Sequence, residues 1–292
     1  MSKILTINVS AEYVFENHNV NASEDGRPKE NVDRAIVSGQ KIRYMLFEKM
    51  KDFLSKNGNQ NKISTGDSLT GDIVNDLRSD FGGYMLTTSE TEEEPEEGKK
   101  AKKVKKGKNE KRSSPLRVSF AQAKKKSSYF DDLFVRFKND ESKEDNAKQR
   151  INTKVFSQHD EFVFNYQLNV DELGRKKEFE IVDGSFVSEK NTLQYSEEEK
   201  LFRLELFLNS VSELKGLANQ SRNAVENTPK KIFISFAKDR RFVNYFNYDE
   251  TEKNNYLAEK VFIGDDKTNY TVKNALADAI SWLKENKTAL YL

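Results

Sequence analysis

The 292-residue chain carries 49 Lys and Arg against 48 Asp and Glu, a formal net charge of +1, with 36% hydrophobic residues and no cysteine. So small a net charge excludes a global field that draws the protein onto a polyanion, and any nucleic-acid contact has to come from segregated basic surface. The lack of cysteine excludes disulfides, thiolate zinc sites and cysteine nucleophiles; with only His18 and His159, and no apolar run near the roughly 18 residues that span a bilayer, the expectation is a cytoplasmic protein with no membrane segment, metal or cofactor.

In chain order, residues 3–15 alternate, with Ile7, Val9, Ala11 and Tyr13 against Thr6, Asn8, Ser10 and Glu12, which reads as a half-buried strand. A polar loop with Asn17, His18, Asn19, Asn21, Asp25 and Gly26 follows. A helix is then expected from about Ser38 to Lys56, stopped by Asn57-Gly58, with Ile42, Met45, Leu46, Met50, Phe53 and Leu54 inward and Gln40, Arg43, Phe47 and Lys51 on the opposite side. Its start, Ser38-Gly39-Gln40-Lys41-Ile42-Arg43, has two readings. Ser38 caps the first turn, and the free N–H groups with the two cations favour an anion there; equally, a well-capped helix can turn this side to water. Glycine after the cap permits close approach of a backbone.

A second amphipathic helix is expected over about Ser68 to Arg78, then an aromatic-flanked glycine pair, Asp80-Phe81-Gly82-Gly83-Tyr84-Met85, in which Phe81 and Tyr84 pack inward. Residues 89–112 form a low-complexity block of segregated charge: six glutamates from Glu90 to Glu97, then Lys99, Lys100, Lys102, Lys103, Lys105, Lys106, Lys108, Lys111 and Arg112. With almost no apolar side chains to offset ordering entropy, the block reads as a mobile insertion, either merely solvated or an arm touching phosphates without sequence preference. A short strand is expected at 115–120, a polar stretch over 138–154, and a strictly alternating strand at 161–170. A capping-box helix opens at Ser196-Glu197-Glu198-Glu199 and ends at Gly216, a strand covers 231–236, and a last helix runs from about Val272 to Glu285.

The loop after the second long helix, Gly216 to Asn223, offers amides, the Ser221 hydroxyl and the Arg222 guanidinium, and suits a nucleic-acid backbone or plain solvent equally. Catalytic signals are sparse: there is no Walker-type glycine loop and no metal-ligand spacing. Asp25 and Asp33 precede the first long helix, where a carboxylate beside a phosphate could cleave RNA, although turn formation explains them more simply. Taken in order, the strongest elements read strand, helix, strand, strand, helix, strand. That is the α+β, ferredoxin-like βαββαβ order shared by RNA-recognition domains, in a single domain over 1–292 with insertions.

Several of these pieces together resemble the CRISPR RNA-binding backbone subunit of Cascade effector complexes, in its DevR-like, type I-B branch. The resemblance rests on the N-terminal strand ending in an Asn-rich loop, on Val37 to Tyr44, on Asp80 to Met85 and on Ser114-Pro115-Leu116-Arg117-Val118-Ser119, and extends to Asn169–Gly174 and the Asn219–Asn223 loop. It implies a hand-like subunit with an RNA-recognition-like palm, inserted helical fingers and a protruding hairpin thumb. Copies would polymerise along the spacer of one CRISPR RNA beside other Cascade subunits and leave bases free to pair with target DNA. It also implies that the protein is not an enzyme. Ser38, Gln40, Lys41 and Arg43, with Asn17, His18 and Asn19 and with Ser221 and Arg222, would meet the RNA. The role of the 89–112 block does not follow from the resemblance; from its charge, Lys99, Lys100, Lys102, Lys103, Lys105, Lys106 and Lys108 are expected to meet target DNA. The related type III backbone subunit, cleaving target RNA with a loop aspartate, and a stand-alone single-stranded RNA binder are the alternatives.

Overall fold

The computed structural model describes residues 3–24, 26–57, 63–65, 70–88, 108–136, 150–182, 185–217, 225–241 and 258–290. Strands β1 (Thr6–His18), β2 (Glu30–Asn31) and β3 (Arg34–Val37) precede helix α1 (Gly39–Lys56), and the short helix α2 (Leu77–Gly82) leads into β4 (Tyr84–Thr88) and β5 (Lys108–Arg112). Next come β6 (Leu116–Val118), β7 (Ala121–Gln122), β8 (Tyr129–Arg136) and β9 (Arg150–Asn169), then the pair β10 (Arg175–Val182) and β11 (Ser185–Leu193). Helix α3 (Glu197–Ser210), strands β12 (Lys231–Ala237) and β13 (Ala258–Asp265), helix α4 (Val272–Glu285) and a 3-10 turn at Lys287–Leu290 follow.

The fold is α+β, built on a six-stranded antiparallel sheet ordered β13-β12-β1-β9-β6, with β8 also paired to β9. Alternation along β1 fixes the register, because a one-residue slip would invert the two faces. Val9 stands opposite Tyr166 and Ile234, and Ile7 opposite Leu168 and Phe236. This apolar face meets the helices: the Tyr13 hydroxyl donates to the Val211 carbonyl just past α3 at 3.0 Å, Tyr166 lies edge-on to Phe207, and Phe236 packs on Trp282 at 4.5 Å between centroids.

The other face is polar yet also buried, contrary to a half-buried strand. Thr6, Asn8, Ser10, Gln167 and Ser235 are all shielded from solvent, and residues 239–241 meet Thr6 and Gln167 on this face. Gln167 Nε2 donates to the carbonyls of Arg240 and Arg241 at 3.2 and 2.9 Å, and Thr6 Oγ1 donates to the Asp239 carbonyl at 2.8 Å. Side-chain amides and hydroxyls satisfy one another there, as in Ser10 to Asn165 at 2.7 Å, so burial leaves few polar groups orphaned.

The helix expected over 68–78 begins only at Leu77 and runs to Gly82. Upstream, side chains offer the backbone other partners: Asp72 Oδ1 accepts from the N–H groups of Val74 and Asn75, which favours a turn over a helix. Asp76 is the N-cap and gathers donors from Ser64, Thr70, Arg78 and Ser79. Burial pushes the Asp76 carboxyl up, but these donors outweigh it and hold the pKa below the usual carboxylate range. The stabilisation that follows is complete above the unfolded value, near pH 4, and fades as pH falls through the lower folded value. Thermal unfolding followed from pH 7 to 3 should show this loss, with a shallower acid limb in Asp76→Asn; identical limbs would count against it.

Part of the block expected to be a mobile insertion is a strand. Lys108–Arg112 is a strand paired with Tyr84–Thr88, and only 89–107, which contains Lys99, Lys100, Lys102, Lys103, Lys105 and Lys106, lies outside the described residues. What orders the strand is a buried ionic hub at its end. Asp80, fully buried, accepts from Arg112 Nη2 at 2.9 Å, Arg203 Nη1 at 2.7 Å, the Tyr195 hydroxyl at 2.7 Å and the Gly174 N–H at 2.8 Å. One carboxylate thus ties the roots of the β4–β5 and β10–β11 hairpins to α3.

Candidate nucleic-acid interface

Strand β3 delivers the chain into Ser38, which is extended (φ −67°, ψ 148°) and accepts from the Lys41 N–H at 3.2 Å. Asn21 of the Asn-rich loop holds this junction, donating to the Ile36 carbonyl at 3.2 Å and meeting the Ser38 hydroxyl at 3.4 Å. The backbone that approaches Gly39 is the chain's own: a Cβ there would stand 2.8 Å from the Val118 carbonyl oxygen. The start of α1 is therefore walled on one side by residues 118–120. The β3–β7 register, Val37 opposite Ala121, places Phe120 opposite Ser38, and Phe120 is 65% exposed. Ser119 Oγ, in the same wall, is buried with no partner.

Along α1, Gln40 is exposed, while Lys41 lies 4.8 Å over the Tyr44 ring and donates to the Gly216 carbonyl at 2.9 Å. That contact brings the chain just after α3 beside the start of α1. Ser221 and Arg222 lie outside the described residues, but the loop that holds them is entered from this tether. One turn along, Arg43 Nη2 donates to the Leu116 carbonyl at 3.1 Å, its Nε is buried with no partner, and no carboxylate pairs with it among the described residues. Burial first, and then the Arg78 guanidinium, push the Arg43 pKa down; burial does the same to Lys41, partly offset by Glu48. Both cations are held where positive charge is unfavourable, which is the condition an arriving anion relieves.

Phe47, expected on the polar side, is 1% exposed and carries Arg78 over its ring at 4.9 Å. Arg78 closes the α2 side of the row and was not among the residues the sequence pointed to. Its signal is a cation just before an Asp-Phe-Gly-Gly turn, and only the packing of α2 on α1 gives it meaning. The motifs Asp80–Met85 and Ser114–Ser119 meet here: the Ser114 hydroxyl donates to the Phe81 carbonyl at 3.0 Å, and Tyr84 is buried with its hydroxyl on Glu110.

Of the Asn-loop trio, Asn17 is exposed at φ +48°. His18 and Asn19 turn inward instead. His18 Nε2 lies 2.8 Å from Asp160, Asp160 accepts from Ser127, and Ser127 Oγ accepts from the Ala35 N–H at 2.9 Å. Asn19 donates to the carbonyls of Gly26 and Val155. The His18 chain braces the strand that feeds Ser38, and Asn19 ties the loop to β9. Asp25 lies outside the described residues, and Asp33 (φ +59°) pairs with Lys126 at 2.9 Å on an exposed turn. Among the described residues, no three His, Asp or Glu side chains are grouped to hold a metal, and no helix is long and apolar enough to cross a membrane.

A family model described as "CRISPR-associated negative auto-regulator DevR/Csa2" matches residues 16–260. A solved chain described as "CRISPR RNA-guided surveillance complex" superposes with a TM-score of 0.54 at 13% identity, over 95% of this chain and 99% of that one. Another, described as "CRISPR RNA-guided surveillance complex, pre-nicking", gives 0.57 at 12% identity with the same coverage. At such identities the likeness is one of fold. No curated protein matches the chain.

Proposed function

Since the chain belongs to the DevR/Csa2 family of CRISPR-associated proteins, we propose that it is a non-catalytic subunit that binds CRISPR RNA through the start of α1 and polymerises along the spacer beside other Cascade subunits. The observation that carries this reading is the start of α1, where Ser38 caps the first turn, Gln40 is exposed, and Arg43, one turn on from Gln40, keeps a buried Nε without a partner, with Lys41 on the flank toward Gly216. In this reading the β12-β1-β9-β6 part of the sheet, with α1 and α3 on its apolar face, is the ferredoxin-like palm, and the β4–β5 and β10–β11 hairpins supply the projections. Contacts of this kind position a backbone and leave sequence to be read by base pairing. On charge alone, the lysines from Lys99 to Lys108 are assigned to target DNA. The near-complete overlap with chains of RNA-guided surveillance complexes favours a place in a complex over a free regulator.

The stand-alone recognition-domain reading is weakened by the sheet itself. Such domains stack bases on an open sheet face, and here residues 239–241 lie against that face at Thr6 and Gln167. Nothing in the geometry favours cleavage by Asp33.

Arg43→Glu tests the proposal. RNA that co-purifies with the assembled complex should fall by roughly 10- to 100-fold, the loss of a charge-assisted contact, whatever the spacer. A loss confined to some spacer sequences, or a wild-type protein that carries RNA of mixed origin and length, would overturn it.

A further inference from the structure

We propose that Arg43 and Arg78 form a two-guanidinium site for one phosphodiester group of the bound RNA, with Arg78 holding it from the α2 side. The inference rests on the RNA-binding reading above and adds to it a residue and a ligand group.

Arg112 and Arg203, packed at the hairpin roots, are neutralised by Asp80. Arg43 and Arg78 have no carboxylate partner among the described residues, although they lie close enough for one positive charge to act on the other. Two like charges brought together without a counter-ion oppose folding unless something else offsets them. Each also has a buried Nε with no hydrogen-bond partner.

Both guanidiniums are oriented before any ligand arrives. Arg43 is fixed by the Leu116 carbonyl at 3.1 Å, and Arg78 stands 4.9 Å over the ring of Phe47, one helical turn beyond Arg43 on α1. Planar, fixed donor forks suit an anion with several acceptor oxygens, and phosphate accepts from two forks at once where a single amide or hydroxyl cannot. The site continues the side of α1 that begins at Gln40, since Arg43 and Phe47, which carries Arg78, follow at successive helical turns of about 5.4 Å, so a strand lying along α1 would present successive backbone groups to it. Such a contact is blind to sequence.

The test uses Arg78→Met, which keeps aliphatic packing on Phe47, and Arg78→Lys, which keeps the charge without the fork. Binding of a mixed-sequence single-stranded RNA oligonucleotide to the intact protein is measured over a salt series. Arg78→Met should weaken binding about tenfold at low salt and lower the slope of log affinity against log salt by roughly 0.7–1, equally for unrelated sequences. Arg78→Lys should fall between. A second series uses RNA with a single methylphosphonate at each position in turn. One position should weaken binding to the wild type and stop mattering in the variant.

Unchanged affinity and slope in Arg78→Met would overturn the site. So would a methylphosphonate profile identical in both proteins, since the pair would then serve a protein carboxylate. A wild type that binds no RNA sinks the underlying reading as well, and that outcome is distinct because it precedes any variant. If Arg78→Met does not fold, the methylphosphonate comparison between Arg78→Lys and wild type decides.

Discussion

Asp80→Ala is expected to destabilise the protein by about 3–5 kcal/mol, because it strands two buried guanidiniums rather than removing one contact. Arg203 is fully buried, and its remaining partners are the Ile73 and Val74 carbonyls and Glu199. Arg112 keeps only backbone carbonyls, among them that of Glu172 at 3.0 Å. Urea unfolding reads the change as a lower midpoint. Asp80→Asn keeps the shape and some acceptors, so it should fall between the wild type and Asp80→Ala. A loss under about 1 kcal/mol for Asp80→Ala would mean that the guanidiniums find other partners, and the hub would then not be what organises the hairpin roots.

Gly83→Ala is the second large effect, and it is local in origin. Gly83 has φ +67° and ψ 178°, a combination open essentially to glycine alone. A Cβ would stand 2.4 Å from the Arg112 carbonyl oxygen and 2.8 Å from the Ser113 carbon and the Ser114 nitrogen. Backbone strain and overpacking each contribute about 1–3 kcal/mol, so a loss of roughly 2–6 kcal/mol is expected. The obstructing atoms are backbone at the end of β5 and in the link that leads into β6, whose first residue, Leu116, is the one on which Arg43 rests. Gly83→Ala should therefore lower RNA loading as well as the melting temperature, whereas Gly82→Ala, which meets only the Phe47 and Arg78 side chains at 3.6–3.9 Å, should be mild. Equal effects at the two glycines would refute the backbone argument.

Periodicity was enough to read the elements whose burial follows their own sequence. The alternation of β1 and β9, the Ser38 and Ser196 caps and most of the stripes of α1, α3 and α4 are where residue spacing puts them, except that Phe47 is buried and α3 ends at Ser210 rather than Gly216. What spacing could not show depends on partners distant in sequence. Lys108–Arg112 looks like more of the lysine-rich run, yet Arg112 finds Asp80, and the run becomes a strand. A deletion meant to remove only the charged segment should therefore stop at 107, since one reaching 112 would break the hub. The extension of β9 to Arg150 sits in polar sequence and exists through pairing with β8, whose own apolar residues, Tyr129, Phe130, Leu133, Phe134 and Val135, were a strand signal that went unread. The β10–β11 hairpin did carry a local sign, Asp183-Gly184 between two strand-like runs. In the candidate interface, Ser38, Gln40, Lys41 and Arg43 were legible because one helix start holds them all. Arg78 and Phe120 were not, because α2 packing and the β3–β7 register bring them there.

The place of β1 at the centre of the sheet also bears on how the protein is made. Its neighbours are β9 and β12, so Thr6 has no strand partner until Asn169 has been synthesised and its second only with Ala237. At about 5–20 residues per second, the strand emerges on the order of ten seconds or more before its sheet can close. During that wait its apolar row of Ile7, Val9, Ala11 and Tyr13 is an open edge, the kind that pairs with other nascent chains. The row of Thr6, Asn8 and Ser10 keeps the opposite side water-compatible meanwhile, and residues 239–241 meet it, at Thr6, only once they arrive. Expression should thus be more sensitive to conditions that slow folding than to those that weaken the finished fold.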